Sequence, residues 1–284
     1  RISPVARNLL ALLPAPTYPD RIEQNFIAVG STKLTTNQTS GRVDYYMNDK
    51  TRLFGRFIYF GSDLFSPPIY SQGGGASLEG GVGGYSEGGN RNLSLNASHV
   101  FSPTVLLDLR YGYSRYRVTV FQPDRNTDLS TQVGIPDIND GTVTNSGLGS
   151  IGPSGVGAFS MGGAVTAAAP TYQNMRYHQG AANLTWIKGT HTLKTGGDFR
   201  RYLNLRIQPG GARGSFSFAP GVTGSPAVSN SGFGTASMLT GLVSNFGRQF
   251  LLSQDIGNES EIHAFGYIQD TWKVTPKLTL NYGV

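Results

Sequence analysis

The chain has 284 residues, of which 14% are charged and 38% hydrophobic, and its net charge is +6. The charged fraction is well below the ~25% of ordinary soluble domains, which argues against a typical soluble enzyme. The basic residues are dispersed, which argues against a nucleic-acid partner. There is no cysteine, so a disulfide scaffold and a thiolate metal site are excluded. Without a run of ~18 apolar residues, any membrane-spanning element has to be a strand of a closed barrel.

The first residues predict a short helix. Ser3 and Pro4 precede an apolar segment that reaches Leu13, and a polar residue followed by proline is typical of a helix N-terminus. Residues 20–40 are polar and weakly patterned, with a possible extra strand at 26–29. We therefore expect little regular structure between the helix and residue 41.

Four segments alternate between apolar and polar residues with the period of a β-strand, and a tight turn divides each into two strands. We predict hairpins at about 41–60, 92–121, 173–208 and 262–284. The third is the most regular, with its turn at 188–190. Its second strand exceeds the ~5 to 6 residues of an ordinary strand and reaches the ~9 to 11 of a tilted transmembrane strand.

Long loops at about 61–91, 122–172 and 209–261 separate the hairpins. Nine of the seventeen residues from Gly73 to Gly89 are glycine, which favours a flexible loop. In the third loop, residues 213–219 alternate briefly, and residues 233–242 predict one or two helical turns ending at Gly241. Short turns at one end and long loops at the other are typical of outer-membrane barrels, whereas a soluble sandwich has turns every ~8 to 12 residues. The predicted fold is all-β: an incomplete antiparallel transmembrane β-barrel with about eight long strands.

The alternation assigns two sets of candidate residues. The polar strand faces would line a water-filled lumen, where they either form ion pairs across neighbouring strands or bind an anionic ligand. The lumen-facing candidates for ligand binding are Arg56, Arg110, Asp108, Lys194, Asp198, Arg200 and Arg206, with Asp44 on the same kind of face. The aromatic residues near strand ends are Tyr113, Trp186, Trp272 and Tyr282. We expect these four at the membrane interface, the alternative being large core residues.

Other motifs point to no chemistry. Residues 147–152 match the letters of a dinucleotide fingerprint, but that fingerprint works only between a strand and a helix, and Pro153 follows here. The four histidines are far apart in the chain and none has a second ligand at helical spacing. No nucleophile elbow or P-loop is present. We therefore predict no enzymatic activity, no cofactor and no metal.

Several segments resemble the barrel region of Oar-like TonB-dependent outer-membrane receptors, and in the same order. They are SGRVDYYMNDKTRLFGRFIY at 40–59, NLTWIKGTHTLKTGGDFRR at 183–201, RGSFSF at 213–218 with ASMLTGL at 236–242, and GYIQDTWKVTPKLTLNYGV at 266–284. The resemblance implies a larger barrel of about 22 strands, an N-terminal plug, and energy coupling through the TonB complex. It also implies that this chain is an internal part of that barrel without its plug.

The expected function is part of an outer-membrane transporter that binds an unknown ligand with its extracellular loops and takes it up through the lumen. Its other partners would be outer-membrane lipid and, through the N-terminal part, the TonB complex. The alternative is a surface-exposed or secreted β-rich adhesin or glycan-binding module. One geometric point separates the two. A barrel presents Leu193, Phe199, Leu203 and Leu205 outward in an apolar band, whereas a soluble module packs them against a second sheet.

Overall fold

The computed structural model describes residues 1–21, 24–79, 83–157, 159–163, 170–229, 231–249 and 258–284. Three α-helices lie in this part of the chain: α1 Pro4–Ala11, α2 Leu129–Gln132 and α3 Gly234–Thr240. The long strands are β1 Lys33–Asn48, β2 Thr51–Ser66, β3 Gly84–Ser102, β4 Val105–Phe121, β6 Thr171–Lys188, β7 His191–Ile207 and β10 Asn258–Thr275, followed by β11 Leu278–Gly283. The short strands are β5 Ser150–Pro153, β8 Ser215–Phe218 and β9 Asn245–Gly247.

The long strands and β11 form one eight-stranded antiparallel sheet in the order β1-β2-β3-β4-β6-β7-β10-β11. Each tight turn joins sequence neighbours, so the four predicted hairpins and the all-β fold are confirmed. The turn of the third hairpin consists of Gly189 and Thr190, and Gly189 has a φ of 58°, which glycine adopts without steric cost. Among the residues that the structure describes, no helix is long and apolar enough to cross a membrane.

Residues paired across antiparallel strands lie on the same side of the sheet, so the register defines two faces. On the polar face, Arg110 lies opposite Ala181, and Ala181 lies opposite Asp198. On the apolar face, Leu109 lies opposite Ala97 and Ala182. The apolar side chains of β4 are consecutive on that face: Val105, Leu107, Leu109, Tyr111 and Tyr113.

The sheet is longer at its loop end than the sequence predicts. The first hairpin extends back to Lys33, which pairs with Phe65, and β3 begins at Gly84 inside the predicted first loop. In β1, residues 35–40 are polar on both faces, so alternation is absent there and the backbone pairing alone defines the strand. The possible extra strand at 26–29 is wrong, because these residues have no regular structure.

The long loops fold together with α1 into a second body, which we call the cap: α1, α2, α3 and the small sheet β5-β8-β9. Its buried core draws residues from several distant segments: Leu9, Val133, Leu148, Ile151, Met161, Phe218 and Met238. The N–H of Ser3 donates to the carbonyl of Leu239 at 2.8 Å and joins α1 to α3. The expectation of structureless loops is therefore wrong for much of this region, whereas the helical turn ending at Gly241 is confirmed.

Candidate functional site

Ion pairs on the polar face form along single strands. The guanidinium of Arg42 contacts Asp44 at 2.7 Å through Nε, and Arg110 contacts Asp108 at 2.6 Å. Arg200 pairs with Asp198 in the same way. In each pair the two residues are two apart, which places both side chains on one face of the strand. The expected pairing across neighbouring strands is therefore wrong for these three arginines.

Two of these pairs meet around a cleft of about 730 Å³ on the polar face. Ala181 separates Arg110 from Asp198 in the register, and its small side chain leaves the space between them open. The carboxylate of Asp108 accepts a hydrogen bond from Asn96 at 3.1 Å, and that of Asp198 accepts one from Gln179. The cleft therefore combines two carboxylates with the guanidinium of Arg110, all of them already hydrogen-bonded, while Arg200 contacts Asp198 from outside the lining. This arrangement is suited to a polar, hydrated surface.

The other predicted lumen residues lie away from this cleft. Arg56 is in the register row of Arg200 but is separated from it by β3, β4 and β6. Lys194 is four residues before Asp198, roughly 13 Å along the strand toward the turn. Arg206 lies toward the cap and donates to Gln208. The structure thus brings three of the seven predicted residues, Asp108, Arg110 and Asp198, into one cleft, with Arg200 paired to Asp198, and distributes the other three along the face.

Amide and phenol groups that were not among the predicted site residues complete this surface. Gln179 accepts a hydrogen bond from the hydroxyl of Tyr177 at 3.0 Å, and Asn183 accepts one from Tyr267 at 2.9 Å. Both amides occupy positions of β6 whose side chains lie on the polar face. The alternation of the strand alone was enough to predict this, because Gln179 pairs with Arg200 and Asn183 pairs with Asp108, which the sequence already assigned to that face.

A second cleft, of about 850 Å³, lies at the junction of the cap and the strand ends. Its lining combines apolar residues with polar ones, including Phe65, Tyr85, Gln122, Asp124 and Arg213. The amide nitrogen of Gln122 donates to the carbonyl of Ser146 at 3.0 Å. Its Oε1 atom is buried and has no hydrogen-bond partner among the described residues.

Arg213 is the main buried charge of the cap. Its guanidinium lies 3.4 Å from Asp124 and donates to the carbonyl of Leu148 at 3.2 Å. Burial lowers the pKa of Arg213, and the nearby carboxylate of Asp124 opposes that change. Asp124 also accepts the N–H of Leu148 at 2.6 Å. These bonds fix the residues around the cleft to the cap's core.

The apolar face carries the predicted interface aromatics. Trp186 and Trp272 lie near the short turns, where Trp272 stacks on His191 at 5.3 Å. The hydroxyl of Tyr282 donates to Asp270 at 2.7 Å. Tyr113 lies at the opposite end of the apolar run of β4. The four residues therefore flank an apolar band at both of its ends, and their position at a membrane interface stays a prediction.

No alternative chemistry emerges from the remaining motifs. In the glycine motif at 147–152, Leu148 and Ile151 belong to the cap's core. The strand β5 begins inside the motif at Ser150, where a nucleotide site needs a helix. Each histidine has its own local hydrogen-bond partner, such as Asp270 for His191 at 2.6 Å. Within the described ranges, no group of three or more residues is suited to hold a metal ion.

Within the part of the chain that the structure describes, no protein layer covers the apolar face. The described hydrophobic core lies in the cap and includes none of Leu193, Phe199, Leu203 and Leu205, and the side chain of Phe199 is 50% exposed. A long-stranded antiparallel sheet with one bare apolar face, one charged face, short turns and long loops defines a transmembrane β-barrel.

The chain belongs to the outer membrane beta barrel domain family, whose model matches residues 1–284. No curated protein matches the chain. The protein is therefore located in the outer membrane. In barrels of this kind an apolar face is suited to lipid and a polar face to the lumen, and the short turns are periplasmic, so for this chain a lipid-facing apolar face, a lumen-facing polar face and an extracellular cap stay predictions.

Proposed function

We propose that this barrel belongs to a TonB-dependent receptor of the Oar-like type, which captures a ligand with its extracellular loops and imports it through the lumen. The observation that carries the proposal is the polar face of the sheet, with its cleft around Asp108 and Asp198. A second cleft lies between the cap and the strand ends, where Phe65 and Tyr85 of the opposite face contribute to its lining.

The proposed action is recognition and passage without covalent chemistry. A ligand first loses its hydration water and binds to the cap cleft, whose lining combines apolar and polar residues as is usual for small-molecule sites. It then moves along the polar face, where hydrated ion pairs offer weak contacts. Such contacts favour passage, because a ligand that binds too tightly at one place does not leave it.

The resemblance to the receptor family is carried by strand and cap segments. The segment at 183–201 forms most of the third hairpin, and RGSFSF at 213–218 ends in β8. The proposed partners are outer-membrane lipid, the TonB complex through an N-terminal part, and a transported ligand. No nucleic acid is proposed, because the basic residues are divided between the two faces of the sheet.

A second candidate function is a surface adhesin or glycan-binding module. The lining of the cap cleft favours it, since Phe65 and Tyr85 pair there with ring centroids 4.8 Å apart. Aromatic faces are common platforms for apolar surfaces of ligands. In this alternative the cap binds its ligand and nothing enters the cell.

An uptake assay separates the two functions. Cells that express the full-length protein receive fluorescent pools of peptides and oligosaccharides, with and without an uncoupler of the proton-motive force. Import predicts protease-protected fluorescence that disappears with the uncoupler. Surface binding that is equal in both conditions, without protected fluorescence, would reject import in favour of the adhesin.

A paired variant tests the lumen. Arg56→Gln with Lys194→Gln removes two lumen cations that have no hydrogen-bond or ion-pair partner in the described part of the chain, so uptake should fall several-fold while surface binding is retained. Lys50→Gln, in the first short turn, is the control and should leave both unchanged. Equal uptake by the double variant and the control would exclude a role of these cations.

A further inference from the structure

Five arginines lie on the apolar face toward the cap, four of them beyond the row of Tyr113 and one, Arg201, within that row. We call them the arginine patch: Arg91, Arg115, Arg117, Arg176 and Arg201. Arg115 follows Tyr113 on the same face of β4, about 7 Å further along the strand. All five are on the side of the sheet that we predict to contact lipid, so none of them is expected to face the lumen.

The register places three of these arginines side by side. Arg91 is the direct partner of Arg115, and Arg115 is the direct partner of Arg176. Residues directly opposite in antiparallel strands have Cβ atoms about 4.5 to 5.5 Å apart, and like charges in such positions destabilise a sheet. The sheet tolerates this arrangement best when an anion lies between the guanidiniums.

The protein itself supplies little compensation. Within the described ranges, none of the five arginines forms an ion pair. The Nε of Arg115 donates to the amide oxygen of Asn174 at 3.0 Å, and Arg91 lies over the ring of Tyr59 at 5.8 Å. Two carboxylates, Asp63 and Glu87, share this face but lie nearer the cap. The patch therefore keeps a positive surplus, unlike the paired arginines of the lumen.

A small cleft is built into the patch. It has a volume of about 260 Å³, and its charged lining consists of Arg91, Arg115 and Arg117 together with the carboxylates of Asp63 and Glu87, so the arginines leave a surplus of one positive charge. Gly88 and Gly89 contribute backbone without side chains to its lining. The cleft is too small for a protein element but offers three guanidiniums to a compact anion, which arginine binds with two parallel hydrogen bonds.

We propose that the arginine patch binds the phosphate groups of a phosphorylated glycolipid in the outer leaflet. The position decides the class of ligand, because the acyl chains of such a lipid contact the apolar band while its phosphates lie at the level of Arg115. Arginine, with no lysine in the patch, is the residue type best matched to phosphate. The proposal depends on the outer-membrane location and is independent of what the barrel transports.

The test measures binding of full-length protein to nanodiscs that contain either bisphosphorylated lipid A or the same lipid with its phosphates removed. Wild type should prefer the phosphorylated form at least about tenfold, since charge-assisted contacts are the strong ones. Arg115→Gln with Arg117→Gln should abolish that preference. Arg7→Gln with Arg52→Gln removes equal charge outside the patch and should retain it.

Two further readouts separate a lipid-phosphate site from a free-anion site and from a general effect of charge. Because repulsion is relieved, Arg115→Gln should not lower the thermal stability of the protein in lipid-free detergent, whereas it should lower the stabilisation gained from lipid A. Inorganic phosphate at millimolar concentration should compete weakly. Complete displacement by phosphate alone would assign a free-anion site, and equal binding of both lipids or equal loss in the two double variants would overturn the proposal.

Discussion

Placing an arginine on either face of the sheet tests the orientation of the barrel wall. Leu109 is the middle one of five consecutive apolar side chains on β4, from Val105 to Tyr113. Each end of that run is about 14 Å away along the strand, so Leu109 lies near the centre of the bilayer. Leu109→Arg should cost about 2 to 4 kcal/mol of folding free energy in lipid, as charged residues do at the midplane of barrels.

Two companion variants give this prediction its controls. Val105→Arg lies at the edge of the band, where the same change should cost about 0 to 1 kcal/mol. Ala181→Arg lies on the polar face between Arg110 and Asp198 and should change stability by less than about 0.5 kcal/mol, as surface substitutions do. The free energy is measured by urea titration of full-length protein in phospholipid vesicles. A larger cost for Ala181→Arg than for Leu109→Arg would refute the assignment of the faces.

Three other predictions concern turns and the cap. Gly189→Val should cost about 1 to 2 kcal/mol, because a β-branched residue resists positive φ, and Gly189→Asn should recover most of that loss in the same titration. Leu148→Ala removes a fully buried side chain and should cost about 2 to 5 kcal/mol, seen as faster proteolysis within the cap and unchanged resistance of the sheet. Arg213→Met leaves Asp124 without its buried partner and should cost about 3 to 5 kcal/mol, measured as faster hydrogen exchange in β5 and β8 but not in β7.

The sequence predicts the strands where one face is apolar and the other is polar. The third hairpin, predicted at 173–208, is observed as β6 and β7 over Thr171–Ile207. The strand ends near the cap are not predicted, because polar residues lie on both faces there and the alternation of apolar and polar residues is lost. There β1 continues through residues 35–40 and β3 through Gly88 and Gly89 because the neighbouring strand supplies their backbone hydrogen bonds.

The cap was not predictable from local patterns for a different reason. Its core joins Leu9, Leu148, Phe218 and Met238, which are separated by many residues of glycine-rich chain. No single segment shows a periodic apolar face long enough to indicate a partner. The short helix that begins after Ser3, the brief alternation at 213–219 and the glycine that ends α3 were predicted locally, and all three correspond to observed elements.

The in-strand ion pairs change which lumen residues are available to a ligand. An anionic ligand that approaches Arg110 or Arg200 has to displace a carboxylate two residues away, at 2.6 Å in the case of Asp108. Arg56 and Lys194 have no such competitor in the described part of the lumen face. Because a displaced carboxylate would itself repel the ligand, the two unpaired cations are the stronger candidates for contact with an anion. The paired arginines instead keep the cleft polar and hydrated, so selectivity should respond to changes at Arg56 and Lys194 before it responds to changes at the pairs.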